Sequence, residues 1–174
     1  MEIGIRAARE SDHNAIWEIF REVIAAGDTY PLDTKISRHA ALAYWFQHDA
    51  HVYVAQLDGI MPSSSEREST IAGSYTLHPN QCGGGAHVAN AAFIVARSGR
   101  GQGIGRAMGQ HCLDEARRLG FRAMQFNFVV STNEPAVKLW QDLGMKIVGT
   151  LPGAFRHPTL GDVDVYIMYQ NLSR

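Results

Sequence analysis

The segment from Phe93 to Arg106 constrains the fold more than any other part of this sequence. It begins with apolar residues typical of a buried strand, continues into a glycine-rich loop, and then begins a helix. Glycines let the backbone approach a ligand closely, and the free N–H groups at a helix N-terminus are suited to phosphate oxygens. The segment therefore predicts an α/β protein with a pyrophosphate site at this junction, where Arg100 and Arg106 would add charge-assisted hydrogen bonds.

Two familiar nucleotide-binding motifs do not fit this segment. The dinucleotide fingerprint requires Gly or Ala at the position of Met108, and a P-loop requires a Lys followed by Ser or Thr. Taken alone, the glycines are equally consistent with a tight strand-to-helix turn. A pyrophosphate site outside both motifs is therefore one of two interpretations of the loop itself.

Composition excludes several classes of protein. The 174 residues predict a single domain, 1–174, and 45% hydrophobic with 19% charged residues is typical of a globular chain rather than a disordered one. A formal net charge of -1 provides no bulk field for nucleic acid or an anionic membrane. We expect no nucleic-acid partner and no membrane partner, so any phosphate must be bound locally.

The cysteines and the apolar stretches predict a location. Cys82 and Cys112 are too few and too poorly spaced for a disulfide framework or a zinc site, so we expect no metal. The N-terminus lacks the basic start and long apolar run of a signal peptide. The most apolar stretch, residues 88–96, is far shorter than a membrane helix. These features favour a cytoplasmic protein.

Hydrophobic periodicity predicts the element order β-α-α-β-β-β-α-β-α-β-β. Ser11-Asp12 is expected to cap the first helix and Gly27 to end it. The polar stretch 59–69 predicts an exposed hairpin loop, and residues 152–158 predict a loop between the last two strands. Strands are predicted at 2–9, 52–55, 70–77, 86–95, 122–130, 145–150 and 163–170, and the later helices at 103–119 and 133–143. The apolar stripes of the two earlier helices contain Ile16, Ile19, Phe20, Val23 and Ile24, and Ala41, Leu42, Trp45 and Phe46.

Two separated motifs resemble those of one enzyme family. Residues 100–105, Arg-Gly-Gln-Gly-Ile-Gly, match the signature of the GNAT superfamily of N-acetyltransferases: Arg or Gln, two residues, Gly, one residue, Gly or Ala. Farther along, Asn133, Ala136 and Trp140 occupy the places of a second family motif, in which Gly144-Met145 departs from the usual Gly-aromatic end. The predicted element order also matches this family over nearly the whole chain.

The resemblance implies a GNAT-like mixed central sheet of roughly seven strands with flanking helices. It also implies acetyl-CoA as the cofactor, with the strand backbone along the pantetheine arm and the loop amides on the pyrophosphate. The residues implied in this site are Phe93, Ile94, Val95, Arg100, Gly101, Gln102, Gly103, Ile104, Gly105, Arg106, Asn133, Ala136 and Trp140.

Shorter strings narrow the resemblance to a branch that acetylates small amino acids and their analogues, including azetidine-2-carboxylate. They are residues 90–95, 125–127 and 131–133. The implied reaction is direct attack of a small, amino-acid-like amine on acetyl-CoA in a ternary complex, which is an acyltransferase of class EC 2.3.1. In this family the closing strands, here bounded by Pro152 and Pro158, often extend across a partner, so a homodimer is expected.

The chemistry requires a neutral amine, donors for the developing oxyanion and an acid for the leaving thiolate. Many family members have a Tyr where this chain has Trp140, and a Glu on the strand that here contains no carboxylate. Two routes for the proton stay open: water held by Asn90 and Asn127, or a histidine, with His87 and His78 as candidates. The asparagines could equally satisfy local backbone groups, and His87 could be a packing residue.

Two other segments are candidates for the acceptor side. Asp28, Thr29 and Tyr30 resemble the acceptor-side loop of the family and are also ordinary turn residues. Arg156 and His157 either bind an acceptor carboxylate or form a solvated hairpin tip. Two competing functions follow from the missing Glu and Tyr and from the unknown acceptor: a catalytically silent acyl-CoA-binding sensor, and an acetyltransferase for a protein amine.

Overall fold

A computed structural model of the chain describes residues 2–58 and 69–173. Its element order agrees with the order predicted from periodicity, and the predicted loop at 59–69 lies outside the described residues except for Ser69. None of the helices in the described ranges is long and apolar enough to cross a membrane. The elements are β1 Ile3–Ala7, α1 His13–Ala25, α2 Arg38–Trp45, β2 His51–Asp58, β3 Ser69–Pro79, β4 Val88–Val95, α3 Ile104–Arg118, β5 Ala123–Val130, α4 Glu134–Asp142, β6 Lys146–His157 and β7 Gly161–Asn171.

The strands form one mixed sheet in the order β1-β2-β3-β4-β5-β7-β6. All neighbouring strands are antiparallel except β4 and β5, which are parallel because α3 carries the chain from one to the other. The β3–β4 ladder runs from Gly73 opposite Val95 to Pro79 opposite Ala89. By contrast, β4 and β5 pair at Val88 with Ala123 and at Ala89 with Met124, and then diverge.

Each face of the sheet has its own hydrophobic core. The predicted stripe of α1 is buried against α2 and one face of the sheet, where Trp45 and Ile94 are at most 1% exposed. The stripe of α3, with Met108 and Cys112, packs on the other face together with Trp140 of α4. Because side chains alternate along a strand, neighbouring residues of β4 contribute to opposite cores.

The start of α1 differs from the prediction. A 3-10 turn, Glu10–Asp12, precedes the helix, and the Asp12 carboxylate accepts the N–H of Arg9 instead of capping α1. The Arg6 guanidinium donates to both Asp12 oxygens, at 2.6 and 2.9 Å, and lowers the pKa of this carboxyl. Asp12 therefore ties the turn to β1.

The last two strands are longer than predicted, and the expectation of a loop at 152–158 was wrong. β6 continues to His157, and the register shifts between Leu151 and Phe155. This irregularity accommodates Pro152 and Gly153, which has a φ of +59°, and the Gly153 N–H donates to Asp164. β6 is an edge strand, where a proline costs no ladder hydrogen bond on the open side.

Candidate functional site

The divergence of β4 from β5 exposes one edge of the β4 backbone. The Asn80 N–H donates to the Val88 carbonyl and the Ala96 N–H to the Ala72 carbonyl, at the two ends of the β3–β4 ladder. In an antiparallel ladder the bonding groups alternate, so the even-numbered residues of β4 pair with β3. The N–H and C=O groups of Ala91, Phe93 and Val95 therefore face the gap between β4 and β5.

A cavity of about 330 Å³ occupies this gap. Its floor is the diverging part of β4, one wall is formed by α1, α2 and the loop between them, and the other wall by β5 and the first half of α4. Most lining side chains are aliphatic or aromatic. Carboxamides and hydroxyls supply the remaining polar groups: Asn90, Asn127, Asn133, Thr29, Tyr30 and Tyr44. The cavity is thus mainly apolar with a few hydrogen-bonding groups, as is usual for small-molecule sites.

Two polar side chains accept hydrogen bonds from the β4 N–H groups that face the gap between β4 and β5. The Asn90 Oδ1 accepts the N–H of Ala91 at 2.8 Å. The Tyr30 hydroxyl accepts the N–H of Phe93 at 2.9 Å and donates to the Phe93 carbonyl at 2.7 Å. Burial raises the pKa of Tyr30, so this hydroxyl is protonated at neutral pH. Beside it, the Thr29 hydroxyl oxygen is buried and has no hydrogen-bond partner among the described residues.

A bulge in β5 directs Asn127 to the cavity. The β5–β7 register shifts between Phe126 and Val129, so two residues of β5 lie opposite one of β7. The Asn127 Nδ2 donates to the Asn80 Oδ1 at 2.6 Å, and its own Oδ1 accepts from Gln125 Nε2 at 2.9 Å. Asn127 is therefore held by side chains on both sides, while Asn90 is held by the backbone.

The glycine loop after β4 presents free amides to open space. Gly101 and Gly103 have φ values of +75° and +82°, and an added Cβ at either position would meet nothing within 4 Å. The first hydrogen bond of α3 runs from Ala107 N–H to the Gly103 carbonyl. The preceding N–H groups of Ile104 and Gly105 are therefore unpaired, as expected in the first turn of a helix. Such a cradle fits the phosphates of a nucleotide.

The side chains around this loop have different tasks. Ile104 is 1% exposed, so only its backbone faces the loop. The Gln102 side chain donates to the Ser98 carbonyl and closes the loop. Arg106 pairs with Asp142 of α4 at 2.7 Å and lowers the pKa of that carboxyl. Arg100 is exposed and its side chain makes no hydrogen bond or ion pair within the described residues, which leaves its guanidinium available for an anion.

The start of α4 and its Trp140 line the cavity beside β5. Asn133 is the N-cap residue of α4, and within the described ranges its carboxamide makes no hydrogen bond. Ala136 also lines the cavity. The Trp140 ring lies 4.7 Å from that of Phe93 and 5.0 Å from that of Phe126, so it is mainly a core residue that contacts the cavity with one edge.

Several predicted site residues lie away from the cavity. His87 is exposed before β4, and Asp28 precedes the lining residues of its loop without lining the cavity itself. Arg156 bonds Asp162 at 3.1 Å across the β6–β7 hairpin. The His157 Nδ1 accepts N–H groups of the same hairpin turn. Neither of these two residues lines the cavity.

Two residues that shape the site, Tyr44 and Asn80, were not predicted from the sequence. Tyr44 lines the cavity from α2, and its position outside the apolar stripe of that helix is a signal that an aromatic residue faces something other than the core. Asn80, which orients Asn127, lies in a turn after β3 and carries no such signal.

Behind the site, a polar cluster joins α3 to the sheet. The Tyr75 hydroxyl lies 2.6 Å from His111 Nδ1, and the Tyr53 hydroxyl donates to Glu115 at 2.6 Å. Arg118 and the Tyr53 hydroxyl hold the pKa of Glu115 at about 2, whereas burial lowers the pKa of His111. The Tyr75 ring stacks on Phe93, 5.4 Å away, and so supports the floor of the cavity. No group of three or more His, Cys, Asp or Glu side chains in the described ranges is arranged to hold a metal ion.

Comparison with known proteins identifies a family and several relatives. The model of the acetyltransferase (GNAT) family matches residues 13–145. The structure of a GCN5-related N-acetyltransferase from Kribbella flavida superimposes with a TM-score of 0.88 and 42% identity, covering 97% of each chain. The N-acetyltransferase aca1 of Schizosaccharomyces pombe is 32% identical over 153 residues, which are 83% of this chain and 72% of that protein.

A more distant structure shares the fold. The phosphinothricin acetyltransferase from Sinorhizobium meliloti, solved in complex with acetyl-CoA, superimposes with a TM-score of 0.83 at 19% identity. The alignment covers 99% of this chain and 90% of that one. At this identity the similarity concerns the arrangement of the sheet and helices.

Proposed function

The chain belongs to the acetyltransferase (GNAT) family, and on that premise we propose that it acetylates the amine of a small, amino-acid-like molecule. Membership makes it an N-acetyltransferase of class EC 2.3.1 with acetyl-CoA as its cosubstrate. The observation that carries the proposal about the acceptor is the cavity of about 330 Å³, in which Asn90 and Asn127 are the polar side chains of β4 and β5.

The residues present fit a bound acetyl-CoA. The unpaired amides of Gly103, Ile104 and Gly105 and the free guanidinium of Arg100 would hold the pyrophosphate. The outward-facing amides of β4 and the carboxamide of Asn133 would hold the arm, and the cavity has room for it. When bound, acetyl-CoA supplies an activated acetyl group as a thioester.

The acceptor would occupy the end of the cavity next to the α1–α2 loop. Asn90 and Asn127 each offer a donor and an acceptor, which suits an amine together with a carboxylate. Thr29 offers a hydroxyl that lacks a partner in the described structure. Tyr44 and Phe128 contribute aromatic walls that limit the size of the acceptor.

For the proton of the amine, the geometry favours the water route. Asn90 and Asn127 both line the cavity, so they would position a water that removes this proton. His87 is exposed and His78 bonds the Pro79 carbonyl, and neither lines the cavity. An uncharged carboxamide pair favours acceptors whose amine is already neutral in a useful fraction of molecules.

The test measures thiol release from acetyl-CoA with a panel of free amino acids, imino acids, simple amines and short peptides, and identifies products by mass. We expect N-acetylated products from small amino or imino acids. Product formation with peptides alone would contradict the proposed acceptor and support a protein amine. Absence of thiol release with every amine, despite acetyl-CoA binding, would support a silent sensor.

We further propose that the unit of activity is a single domain of residues 1–174, because one sheet contains every strand described. The proposed assembly is a homodimer formed through β6, an edge strand with exposed Ile147, Val148 and Leu151. Light scattering showing a monomer at high micromolar concentration would contradict the dimer. A cytoplasmic location agrees with two unpaired cysteines, Cys82 and Cys112, and fluorescence microscopy of a tagged chain tests it.

A further inference from the structure

The Tyr30 side chain bonds two backbone groups of β4 that a neighbouring strand would normally bond. Its hydroxyl bonds both the N–H and the C=O of Phe93, which lies 63 residues away in the sequence. These two groups face the gap where the β4–β5 ladder has ended after Ala89 and Met124. In a continuous sheet the next strand would bond them. A loop side chain therefore takes the place of a strand.

Any extended ligand with amide groups that lies along β4 requires the same two groups. A backbone N–H makes one strong hydrogen bond, so the ligand and the Tyr30 hydroxyl cannot both bond Phe93 with good geometry. The pantetheine arm of acetyl-CoA is such a ligand, because it contains two amide groups in an extended chain. The two occupants of Phe93 are mutually exclusive.

We infer that Tyr30 is a latch on the cosubstrate groove: it holds the Phe93 peptide when the groove is empty and is displaced when the arm of acetyl-CoA pairs with β4. The inference rests on the proposed function, which supplies the amide-bearing ligand. It assigns to Tyr30 the control of cosubstrate entry, a role distinct from contact with the acceptor.

One feature of the loop makes the latch releasable. The closed arrangement forms two hydrogen bonds, but it also buries the Thr29 hydroxyl oxygen without a partner among the described residues. An unsatisfied buried hydroxyl opposes the state that buries it, so Thr29 reduces the preference for the latched state. Thr29 and Pro31 line the cavity on either side of Tyr30, so release of the latch also reshapes the acceptor end.

The variant Tyr30→Phe keeps the ring and removes the latch. We expect calorimetry to show that coenzyme A binds about five- to a hundredfold more tightly, because the fraction of molecules with a free Phe93 peptide rises. The ligand-free variant should melt at a lower temperature than the wild type, since the two Phe93 groups lose their partner. Tyr169→Phe is the matched control, because Tyr169 lies on β7, does not line the cavity, and its hydroxyl makes no hydrogen bond within the described residues. It should leave the affinity for coenzyme A unchanged.

A second ligand separates the arm from the nucleotide. Adenosine 3′-phosphate 5′-diphosphate carries the pyrophosphate but no arm, so Tyr30→Phe should leave its affinity unchanged. In the wild type, NMR signals of the Tyr30 ring should shift on titration with coenzyme A and stay in place with the armless nucleotide. This second measurement does not depend on the folding of any variant.

Equal or weaker binding of coenzyme A by folded Tyr30→Phe would overturn the latch, and so would an unmoved Tyr30 signal in the wild type. Failure of the proposed function is a different result. In that case wild-type protein binds coenzyme A without transferring acetyl groups to small amines, or does not bind it at all.

Discussion

The two edges of β4 are unlike each other. On one edge, β4 pairs with β3 from Ala89 to Val95 in an uninterrupted antiparallel ladder. On the other edge, pairing with β5 stops after Ala89 and leaves backbone groups that a loop tyrosine and an asparagine satisfy. A strand with one complete edge is held rigidly enough to keep the other edge open for a ligand. The difference predicts that substitutions near the two edges affect stability and binding separately.

The largest effect is expected at the glycine loop beyond the open edge. Gly103→Glu places a negative charge and a side chain in front of the helix amides, and we expect the affinity for acetyl-CoA to fall about a thousandfold or more. Gly103→Gln has the same size without the charge and should lose less. Calorimetry on folded variants measures both values.

Gly120 provides the matched control for backbone strain. It lies at the other end of α3 with a φ of +87°, and an added Cβ would also meet open space. Gly120→Glu should therefore cost similar stability at a left-handed position and leave the acetyl-CoA affinity within about twofold. Unchanged affinity in Gly103→Glu would remove the pyrophosphate from this loop.

The next largest effect is expected at the two carboxamides of the open edge. Asn90→Ala and Asn127→Ala should lower kcat/KM by about ten- to several hundredfold and leave the affinity for adenosine 3′-phosphate 5′-diphosphate unchanged, because neither residue lies at the glycine loop. Asn171→Ala is the control, since Asn171 is exposed on β7 and its side chain accepts only the N–H of nearby Ser173. Wild-type turnover in both cavity variants would make these asparagines structural residues.

Asn90→Asp sharpens the assignment. If Asn90 orients the water that takes the amine proton, a carboxylate supplies a base and raises the rate at low pH. If Asn90 holds an acceptor carboxylate, repulsion raises KM instead. A pH profile of kcat and KM distinguishes the two roles.

A substitution on β3, which pairs with β4 along its complete edge, is expected to lower the free energy of unfolding. The Trp45 indole N–H donates to Ser74 on β3, and the Ser74 hydroxyl donates to the Tyr53 carbonyl, all in a buried environment. Ser74→Ala leaves the indole N–H without a partner and removes one hydrogen bond to the Tyr53 carbonyl, so it should cost about 1–3 kcal/mol of the free energy of unfolding. Urea denaturation measures it, and acetyl-CoA affinity should be unchanged.

Thr76, on the same strand, provides a control for which no loss of the free energy of unfolding is expected. Its hydroxyl oxygen is buried with no hydrogen-bond partner in the described ranges, so Thr76→Val, which has the same shape, should be neutral or stabilising. An unchanged free energy of unfolding in Ser74→Ala, or a loss as large in Thr76→Val, would contradict the assigned contribution of the Ser74 hydrogen bonds.

The smallest effect is expected at the polar cluster behind β4. Hydrogen bonds from Arg118 and Tyr53 hold the pKa of Glu115 at about 2, below the value near 4.5 of an unfolded chain. A lowered carboxyl pKa contributes stability above pH 4.5, which is lost as the pH falls through 4.5 towards 2. Because Arg118 is largely exposed, we expect Glu115→Gln to cost about 1 kcal/mol or less at neutral pH.

The pH dependence is the informative part of that experiment. The stability of wild type and Glu115→Gln should converge as the pH falls from about 4.5 to 2 in a series of thermal melts. Asp114→Asn, which breaks an exposed pair with Arg117, is the control for removing one negative charge from α3 and should change stability by about 1 kcal/mol or less at neutral pH. A constant difference between wild type and Glu115→Gln across this range would contradict the assigned interaction.

The sequence predicted those features that depend on neighbouring residues. The apolar stripe of α1, the order of the elements and the glycine loop all follow from local spacing. The sequence did not predict how far β6 extends. Pro152 and Gly153 usually end a strand, and only an edge position with a bulge accommodates them.

The candidate site was predictable only in part. Asn90, Asn127 and Tyr30 were identified by residue type and resemblance, but the hydrogen bonds of Tyr30 and Asn127 join segments that are distant in sequence. No spacing rule connects Tyr30 to Phe93 or Asn127 to Asn80. Arg156 was selected for its charge, and its pairing with Asp162 depends on the longer hairpin.

The short β4–β5 ladder also determines which parts of the sheet unfold together. Long ladders join β1 to β4 and β5 to β6 through β7, but two residue pairs join the half-sheets to each other. Side chains such as Phe93 and Trp140 bridge the remainder. In amide hydrogen exchange, the half-sheets are therefore expected to form two cooperative units with different protection. A ligand that pairs with β4 and contacts β5 would connect them, so its binding should slow exchange far from the cavity.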